Sequence, residues 1–318
     1  MSVHRALAPA KVNLGLFLGP RRAADGRHEL VTVMQSISLA DELTLEPAPP
    51  GATGDEVICP GVEEAGGENL AAVALRAFRQ RTGWRSPPLR LSIHKRIPVA
   101  AGLGGGSADA AATLRLAHRA SGLGEGALLL ALAAELGADV PAQISPGRWL
   151  ATGAGERLHA LADPRSPFGL LVLPGAGGLS TAEVYAEADR LRAPRTMRAL
   201  AEHRAQLASA LEHGAPLPLA SELLHNDLQR AAVSLCPEIA GALAQARAAG
   251  AERELVSGSG PTVVGLFAPG RSAGNGPALA ELAAASLRER VPQALYAKPV
   301  DAAFAAARTL DPAPSGAG

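Results

Sequence analysis

The segment with the clearest chemical potential runs from Gly102 to Ser107, because four of its six residues are glycine. We expect a strand over residues 89–95 before it and a helix over residues 108–120 after it. Glycine adopts positive φ angles and lets an anion approach backbone N–H groups, and the N-terminus of a helix attracts negative charge. The segment therefore predicts a phosphate-binding loop. The simpler alternative is a flexible loop in which Ser107 caps the helix.

Two common phosphate-binding motifs are excluded. The chain contains no Gly-Lys pair, so it has no Walker A motif. The dinucleotide-binding fingerprint fails as well, because Ser107 stands where that fingerprint has its third glycine. The expected phosphate loop is therefore of another kind.

A second glycine turn, Ser257-Gly258-Ser259-Gly260, lies between two apolar segments with strand character. Alone, such a turn indicates an ordinary β-turn or bulge. Together with residues 102–107, it is a candidate for the opposite side of a phosphate site.

Three polar residues are candidates for the chemistry beside such a loop. Lys11 and Asn13 are two residues apart in a predicted strand, so their side chains share one face. Only three of the 30 basic residues are lysine, which indicates that a compact ammonium is needed where lysine is kept. Asp139 follows a predicted helix, and it is either the cap of the next helix or a base for a hydroxyl group.

The periodicity of apolar residues predicts the elements that position these side chains. Strands are expected over residues 6–18, 30–39, 42–46, 57–59, 89–95, 148–152, 157–159, 168–173 and 293–300, and in two pieces over 255–267. Helices are expected over residues 68–81, 108–120, 127–136, 181–192, 197–213, 237–249 and 278–290. The elements do not follow a regular βαβ order, so the predicted fold class is α+β. Asp-Pro and Ser-Pro turns near residues 160–167 divide the chain into domains 1–162 and 163–308, followed by a disordered tail, 309–318.

Composition excludes several classes of protein. The formal net charge of zero gives no basic surplus for nucleic acid. The longest apolar run falls far short of the roughly 20 residues of a membrane span, and no signal peptide is evident. Two cysteines and eight histidines form no disulfide or zinc pattern. We therefore expect a cytoplasmic protein that binds neither nucleic acid nor a membrane.

Eight segments, in order along residues 8 to about 300, resemble the small-molecule kinases known as GHMP kinases (galacto-, homoserine, mevalonate and phosphomevalonate kinases). Residues 98–112 resemble their second motif, the ATP-phosphate loop, and residues 257–263 resemble their third. The remaining segments are Pro9-Ala-Lys-Val-Asn-Leu, Asp25-Gly-Arg-His-Glu-Leu, Lys95-Arg-Ile-Pro, Leu136-Gly-Ala-Asp-Val-Pro, Ser180-Thr-Ala-Glu-Val-Tyr and Asn226-Asp227. Eight ordered matches are much more specific than one glycine loop.

The resemblance implies a two-domain fold with the active site in the cleft between the domains. The N-terminal domain would be like domain 2 of ribosomal protein S5, and the C-terminal domain would be a ferredoxin-like α/β sandwich. The implied cofactors are ATP and Mg²⁺, with the metal near Ser107. The implied nucleotide-binding residues are Asn69, Lys95, Pro98, Gly102, Leu103, Gly104, Gly105, Gly106, Ser107, Ala108, Ser257, Gly258, Ser259 and Gly260.

Within the family, the segments are most similar to members that phosphorylate the 2-hydroxyl of 4-diphosphocytidyl-2-C-methyl-D-erythritol in the non-mevalonate isoprenoid pathway. The resemblance implies that Asp139 is the base for this hydroxyl, and that Lys11 keeps Asp139 anionic and steadies the transferring phosphoryl group. The implied substrate-binding residues are Asn13, Arg27, His28, Thr181 and Tyr185. The partner is then a small molecule, and the enzyme is a monomer or a homodimer.

Arg27 departs from the family pattern, which has a tyrosine that stacks on cytosine at this position. A guanidinium plane also stacks on a base, so Arg27 either takes over the stacking role of that tyrosine or relaxes the specificity for cytidine. Two alternatives remain open at this point. One is another GHMP kinase, acting on homoserine or a mevalonate-type alcohol, and the other is a nucleotide-binding protein without catalytic activity.

Overall fold

The computed structural model describes residues 2–62, 68–166, 168–175, 177–215, 222–268 and 275–310. Within these residues the chain forms two β-sheets and nine α-helices, which confirms the α+β class. In the same part of the chain, no helix is both long enough and apolar enough to cross a membrane. Cys59 and Cys236 are free thiols, and both are half-buried.

The first sheet is built on two long antiparallel strands, β1 and β2, joined by a turn at Asp25-Gly26. The strand order along its main path is β11-β1-β2-β4-β3. In addition, β5 pairs with β2, and β6 pairs with β5. The strands are β1 (Val3–Arg21), β2 (His28–Pro47), β3 (Glu56–Ile58), β4 (Leu89–His94), β5 (Arg148–Gly153), β6 (Arg157–Leu161) and β11 (Arg308–Leu310).

The second sheet has four antiparallel strands in the order β10-β7-β9-β8. They are β7 (Gly169–Leu173), β8 (Arg253–Val256), β9 (Val263–Phe267) and β10 (Leu295–Ala297). Its central strands β7 and β9 are buried along their whole length, as expected for their continuous apolar sequence.

The helices cover the two sheets. Those of the first half are α1 (Leu70–Thr82), α2 (Gly105–Ser121), α3 (Gly126–Leu136) and α4 (Val140–Ile144). Those of the second half are α5 (Thr181–Arg190), α6 (Met197–Ala210), α7 (Gln229–Leu235), α8 (Glu238–Ala248) and α9 (Gly276–Leu287), with a 3₁₀ helix at Glu212–Gly214.

One hydrophobic cluster joins the two sheets. It contains Leu14 and Val33 of the first sheet, Leu170 and Leu266 of the second, and Leu207 of α6, all of them buried. Burial of apolar surface is the main favourable term in folding. The two halves of the chain are therefore packed against each other through a shared core.

The predicted break between two strands at residues 39–42 is wrong, because β2 is continuous there. Asp41 interrupts the apolar pattern but is fully buried, and its carboxylate accepts hydrogen bonds from the backbone N–H groups of Arg96 (2.6 Å) and Ile97 (2.8 Å). A buried carboxylate with such partners is tolerated inside a sheet. The polar residue marks an internal cross-link rather than a strand end.

The chain forms three short elements that its sequence pattern does not predict. Helices α4 and α7 have five and seven residues, which is too short for a clear helical period. Strand β11 pairs with β1, so the end of the described chain returns to the first sheet. Residues 309 and 310 of the predicted disordered tail therefore lie in a strand. The rest of that tail, 311–318, lies outside the described residues.

Asp227 cross-links β1 to the second half of the chain. Its carboxylate accepts hydrogen bonds from the backbone N–H of Leu18 (2.9 Å) and from the Arg195 guanidinium (2.6 and 2.7 Å). Its own backbone N–H donates to the carbonyl of Leu16 at 2.9 Å. His225 and Arg195, together with the Leu18 N–H, lower the pKa of Asp227 to about 2 against the opposing effect of burial.

We expect Asp227→Asn to lower the free energy of unfolding at pH 7 by about 2 kcal/mol, since the carboxylate's pKa falls from 3.8 to about 2 on folding. A lowered pKa stabilises the fold above the unfolded value and loses that effect as pH falls towards the folded value. The stability difference between wild type and variant, measured by urea denaturation, should therefore shrink between pH 4 and pH 2. Equal stability at pH 7 would contradict this account.

Candidate active site

The glycine-rich segment ends directly in α2, three residues earlier than predicted. Gly104 is the N-cap with φ +70°, and no side chain caps the helix, so Ser107 is not the cap. Ser107 lies instead in the first turn, where backbone N–H groups have no partner within the helix. A left-handed N-cap followed by N–H groups without side-chain partners is typical of an anion-binding loop and is not needed in a loop that only connects two elements.

The two glycine turns pack against each other through their backbones. A Cβ atom on Gly102 would lie 2.5 Å from the carbonyl oxygen of Gly260 and 3.0 Å from that of Ser257. The Ser257 hydroxyl also donates to the carbonyl of Gly102 at 3.4 Å. The two turns therefore lie side by side, while their role as two sides of a phosphate site stays a prediction.

We expect Gly102→Ala to weaken ATP binding at least about tenfold, because the new Cβ would push apart two turns at a residue with φ +76°. Gly241→Ala is the control, since Gly241 lies in α8, outside both glycine turns, and a Cβ there meets no atom within 4 Å. Titration with a fluorescent ATP analogue measures both affinities. If the two variants bind ATP equally well, the close packing of the turns does not determine the site.

Lys11 and Asp139 form an ion pair beside the two turns. The Lys11 Nζ lies 3.2 Å from the Asp139 carboxylate and donates to the Asn13 side-chain oxygen at 3.0 Å. The Asn13 amide donates to the Thr32 hydroxyl at 2.8 Å. Lys11 and Asn13 are buried, whereas the Asp139 side chain is 37% exposed and faces the cavity. Asp139 stands in the N-cap position of α4 without a capping hydrogen bond, which leaves its carboxylate available.

Local structure holds Lys11 against the glycine-rich segment. Its backbone N–H donates to the carbonyl of Leu103 at 2.9 Å. Its aliphatic stem passes Gly104 so closely that a Cβ there would lie 3.0 Å from Lys11 Cγ. Gly258 of the second turn is near as well, since a Cβ there would lie 3.8 Å from the Lys11 Nζ. The ammonium group therefore lies where the two turns meet.

Lys95 is bound to two carboxylates. Its Nζ donates to Asp41 at 2.5 Å and to Asp109 at 2.7 Å, and all three side chains are at least 86% buried by surface area. Burial and the nearby charge of Asp41 raise the pKa of Asp109 to about 7, although Lys95 opposes this shift. Pairing with both carboxylates raises the pKa of Lys95 despite its burial. Lys95 thus anchors the base of α2 to β2. Asp41 was not predicted as part of the site, although its interruption of an apolar strand was a signal for it.

A cluster of polar and aromatic side chains lies at the other end of the site. His28 Nδ1 is 2.7 Å from the carbonyl oxygen of Gly19, and its Nε2 is 3.3 Å from Asp189. Its ring is 5.5 Å from that of Tyr185. Arg21 also binds Asp189, at 2.5 Å. Asp189 and Arg21 were not predicted, because no motif marks them.

Arg27 lies at the rim of this cluster. It lines the cavity with Tyr185, and its guanidinium donates to the carbonyl of Ala154 at 3.0 Å. Thr181 also lines this cavity, with its hydroxyl 3.1 Å from that of Ser259. The hydroxyls of α5 and of the second glycine turn are thus in contact.

Two adjoining cavities contain the predicted residues. The first, of about 750 Å³, is lined by Lys11, Asn13, Arg27, His28, Asp139, Thr181, Tyr185, Gly258 and Ser259. The second, of about 470 Å³, is lined by Asn69, Lys95, Pro98, Leu103, Gly105 and Gly106. Gly102, Gly104 and Ser107 line both. Ala108 and Ser257 are fully buried, and Gly260 packs against Gly102. Such volumes suit small-molecule ligands, with a phosphate position where the cavities meet.

Asn69 caps α1, since its side-chain oxygen accepts from the N–H of Ala71 at 2.9 Å. Among the described residues, no group of three or more His, Cys, Asp or Glu side chains could hold a metal ion. Mg²⁺ is commonly bound by one or two protein groups together with phosphates and water. Ser107, at the junction of the cavities, fits that kind of site.

Two models of known domain families match the chain. The model "GHMP kinases N terminal domain" matches residues 69–147, and "GHMP kinases C terminal" matches residues 204–293. A protein of Anaeromyxobacter sp. (strain K), named 4-diphosphocytidyl-2-C-methyl-D-erythritol kinase, is 45% identical over 278 residues, covering 86% of this chain and 83% of that protein. The chain belongs to the GHMP kinase family. A second protein with this name, from Streptomyces coelicolor, is 44% identical to this GHMP kinase over 83% of this chain and 88% of its own length.

Solved structures agree with this membership. A crystal structure of 4-(cytidine 5'-diphospho)-2C-methyl-D-erythritol kinase is 34% identical to this GHMP kinase, with a TM-score of 0.71 over 92% of this chain and 98% of that one. A homoserine kinase from Cytophaga hutchinsonii has a TM-score of 0.66 over 98% of both chains, but is only 15% identical. The second likeness supports the fold alone.

Proposed function

We propose that this GHMP kinase transfers the γ-phosphoryl group of ATP to the 2-hydroxyl of 4-diphosphocytidyl-2-C-methyl-D-erythritol, in the non-mevalonate pathway to isoprenoids. Its products are the 2-phosphate and ADP. The observation that carries the proposal is the contact of Lys11 with Asp139 where the two glycine turns meet. The 45% identity to a protein named for this reaction favours this substrate over other alcohols.

Asp139 orients the 2-hydroxyl and accepts its proton as the oxygen attacks the γ-phosphorus. Lys11 stabilises the Asp139 carboxylate and the negative charge on the transferring phosphoryl group. Phosphoryl transfer depends mainly on positioning and charge stabilisation, and a base placed at the attacking hydroxyl adds to both. Asn13 accepts a hydrogen bond from the Lys11 ammonium and contacts the substrate.

The nucleotide lies in the second cavity, with its phosphates at the N-terminus of α2. The backbone N–H groups of residues 105–107 and the helix dipole bind the phosphate oxygens. Ser107 would hold Mg²⁺, which neutralises charge on the phosphates. Asn69 and Pro98 contact the adenosine end, whereas Lys95 supports the wall of that cavity through Asp41 and Asp109.

The cytosine base lies between Tyr185 and the guanidinium of Arg27. Stacking of a base on an aromatic ring contributes about 1–3 kcal/mol, and an arginine plane also stacks on bases. His28 faces the same part of the cavity, and a base that bonds to its Nε2 competes with Asp189. Thr181 completes this end of the cavity beside Ser259.

The alternative is a GHMP kinase for another alcohol, such as homoserine or mevalonate. We would compare kcat/KM for the cytidine compound, its uridine counterpart, homoserine and mevalonate in an assay of ADP release. We expect the cytidine compound to be used at least about a hundredfold better than homoserine and mevalonate, since those fill less of the cavity. Preferential phosphorylation of homoserine or mevalonate would contradict the proposal, and equal use of the uridine compound would show that Arg27 relaxes base specificity.

Several further expectations belong to the same proposal. The domains are residues 1–162 and 163–308, and the enzyme works in the cytoplasm as a monomer or homodimer. Its substrate is a small molecule, and we expect it to bind neither nucleic acid nor a membrane.

A further inference from the structure

The contact between Lys11 and Asp139 depends on how β1 and α4 are joined, since these residues are far apart in the sequence. α4 has only five residues and begins directly after Asp139. A helix this short has almost no stability of its own. The position of Asp139 is therefore determined by the groups that fasten α4 to its neighbours.

Gln143 is the first such group. Its side chain is buried, and its amide donates to the carbonyl of Pro9 at 3.0 Å, two residues before Lys11. Its side-chain oxygen accepts from the hydroxyl of Ser36 at 3.3 Å, and Ser36 is the partner of Lys11 across the β1–β2 ladder. The register of that ladder shifts between Pro9 and Lys11, so Gln143 bonds to β1 where its pairing is irregular.

Arg115 is the second group, and it lies on α2, the helix whose N-terminus forms the phosphate loop. One of its terminal nitrogens donates to the backbone carbonyl of Gln143, and the other donates to that of Leu7 at 2.8 Å. One guanidinium thus joins α2, α4 and β1. Burial lowers the pKa of Arg115 to about 10, so the group remains charged at neutral pH and its hydrogen bonds are charge-assisted.

We propose that Gln143 and Arg115 are positioning residues for phosphoryl transfer, which hold Asp139 against Lys11 beside the N-terminus of α2. Neither is among the described residues that line the two cavities, so each acts through Asp139 and not by touching the substrate. The proposal rests on the proposed function. It differs from a purely structural role because it predicts a loss of rate without a loss of nucleotide affinity.

The test uses Gln143→Met and Arg115→Lys in the full-length protein. Methionine keeps the size of glutamine but makes neither side-chain hydrogen bond, and lysine keeps the charge without the forked geometry. Gln35→Met is the matched control, because Gln35 is equally buried but bonds to Arg148 and to the backbone of Ser36 instead of α4. Each variant is also made in an Asp139→Asn background.

We expect the single-turnover rate of phosphoryl transfer to fall about tenfold or more in each positioning variant, since small displacements of reacting groups are costly. Affinity for ATP should stay within about twofold, and neither change should slow the Asp139→Asn enzyme further, as expected for residues that act through Asp139. Rates within twofold of wild type would overturn the proposal. So would an equal loss in Gln35→Met, or a further loss in the Asp139→Asn background. Should one variant fail to fold, the other decides.

The activity of the wild-type enzyme distinguishes a failure of the positioning roles from a failure of the proposed function. A wild type that does not phosphorylate the cytidine compound contradicts both. An active wild type with unaffected variants overturns only the positioning roles.

Discussion

Asp139→Asn is expected to lower kcat by about 10²–10⁴-fold while ATP affinity changes by less than about threefold. Asparagine keeps the size and hydrogen-bonding capacity of the side chain, but it does not accept the proton of the attacking hydroxyl. Asp139 lines the first cavity and not the second, so the nucleotide site is left intact. Steady-state kinetics measure the loss of kcat, and titration with ATP measures whether the affinity is retained.

Folding should be unaffected by this change. The Asp139 side chain is 37% exposed and its ion pair with Lys11 is partly screened by water, so the melting temperature should change little. Glu135→Gln is the matched control, because Glu135 is an exposed carboxylate near the end of α3 that binds Arg81 away from the cavity. Near-normal turnover in Asp139→Asn, or an equal loss in Glu135→Gln, would contradict the role of Asp139.

Lys11→Met is expected to lower kcat by about 10²–10³-fold and also to weaken ATP binding. The ammonium lies 3.2 Å from Asp139 and beside both glycine turns. Its loss therefore removes the positive charge that stabilises the negatively charged phosphoryl group during transfer. Methionine retains most of the aliphatic stem that packs against Gly104, which limits the disturbance of the loop. The loss of ATP affinity distinguishes Lys11 from Asp139.

Lys298→Met provides the control for this second change. Lys298 is an exposed lysine whose backbone, not its side chain, bonds to Ser38. Its replacement should leave kcat and ATP affinity within about twofold of wild type, as surface changes usually do. Unchanged kcat in Lys11→Met would show that the ammonium does not act on the transferring group.

Much of the site could be predicted because its residues belong to local motifs. The glycine segment before α2, the second turn between β8 and β9, and the face shared by Lys11 and Asn13 all follow from backbone chemistry over a few residues. The meeting of the two turns was proposed from their composition, and the structure brings Gly102 and Gly260 into contact.

Long-range polar contacts could not be predicted in this way. Asp41 interrupts an apolar strand, and its role becomes clear only when Lys95 and the backbone of residues 96 and 97 are placed beside it. Asp189 likewise has no motif, although it binds both Arg21 and His28. Strand β11 was missed because three exposed residues have no period, and their pairing with β1 decides their structure.

The position of the phosphate in the product shows whether the enzyme catalyses the proposed reaction. The enzyme would be incubated with ATP, Mg²⁺ and 4-diphosphocytidyl-2-C-methyl-D-erythritol, and the product analysed by phosphorus and carbon NMR. We expect one equivalent of ADP and a new phosphate monoester on the 2-hydroxyl. No phosphorylation of this compound by an enzyme that binds ATP, or a phosphate on a different oxygen, would contradict it.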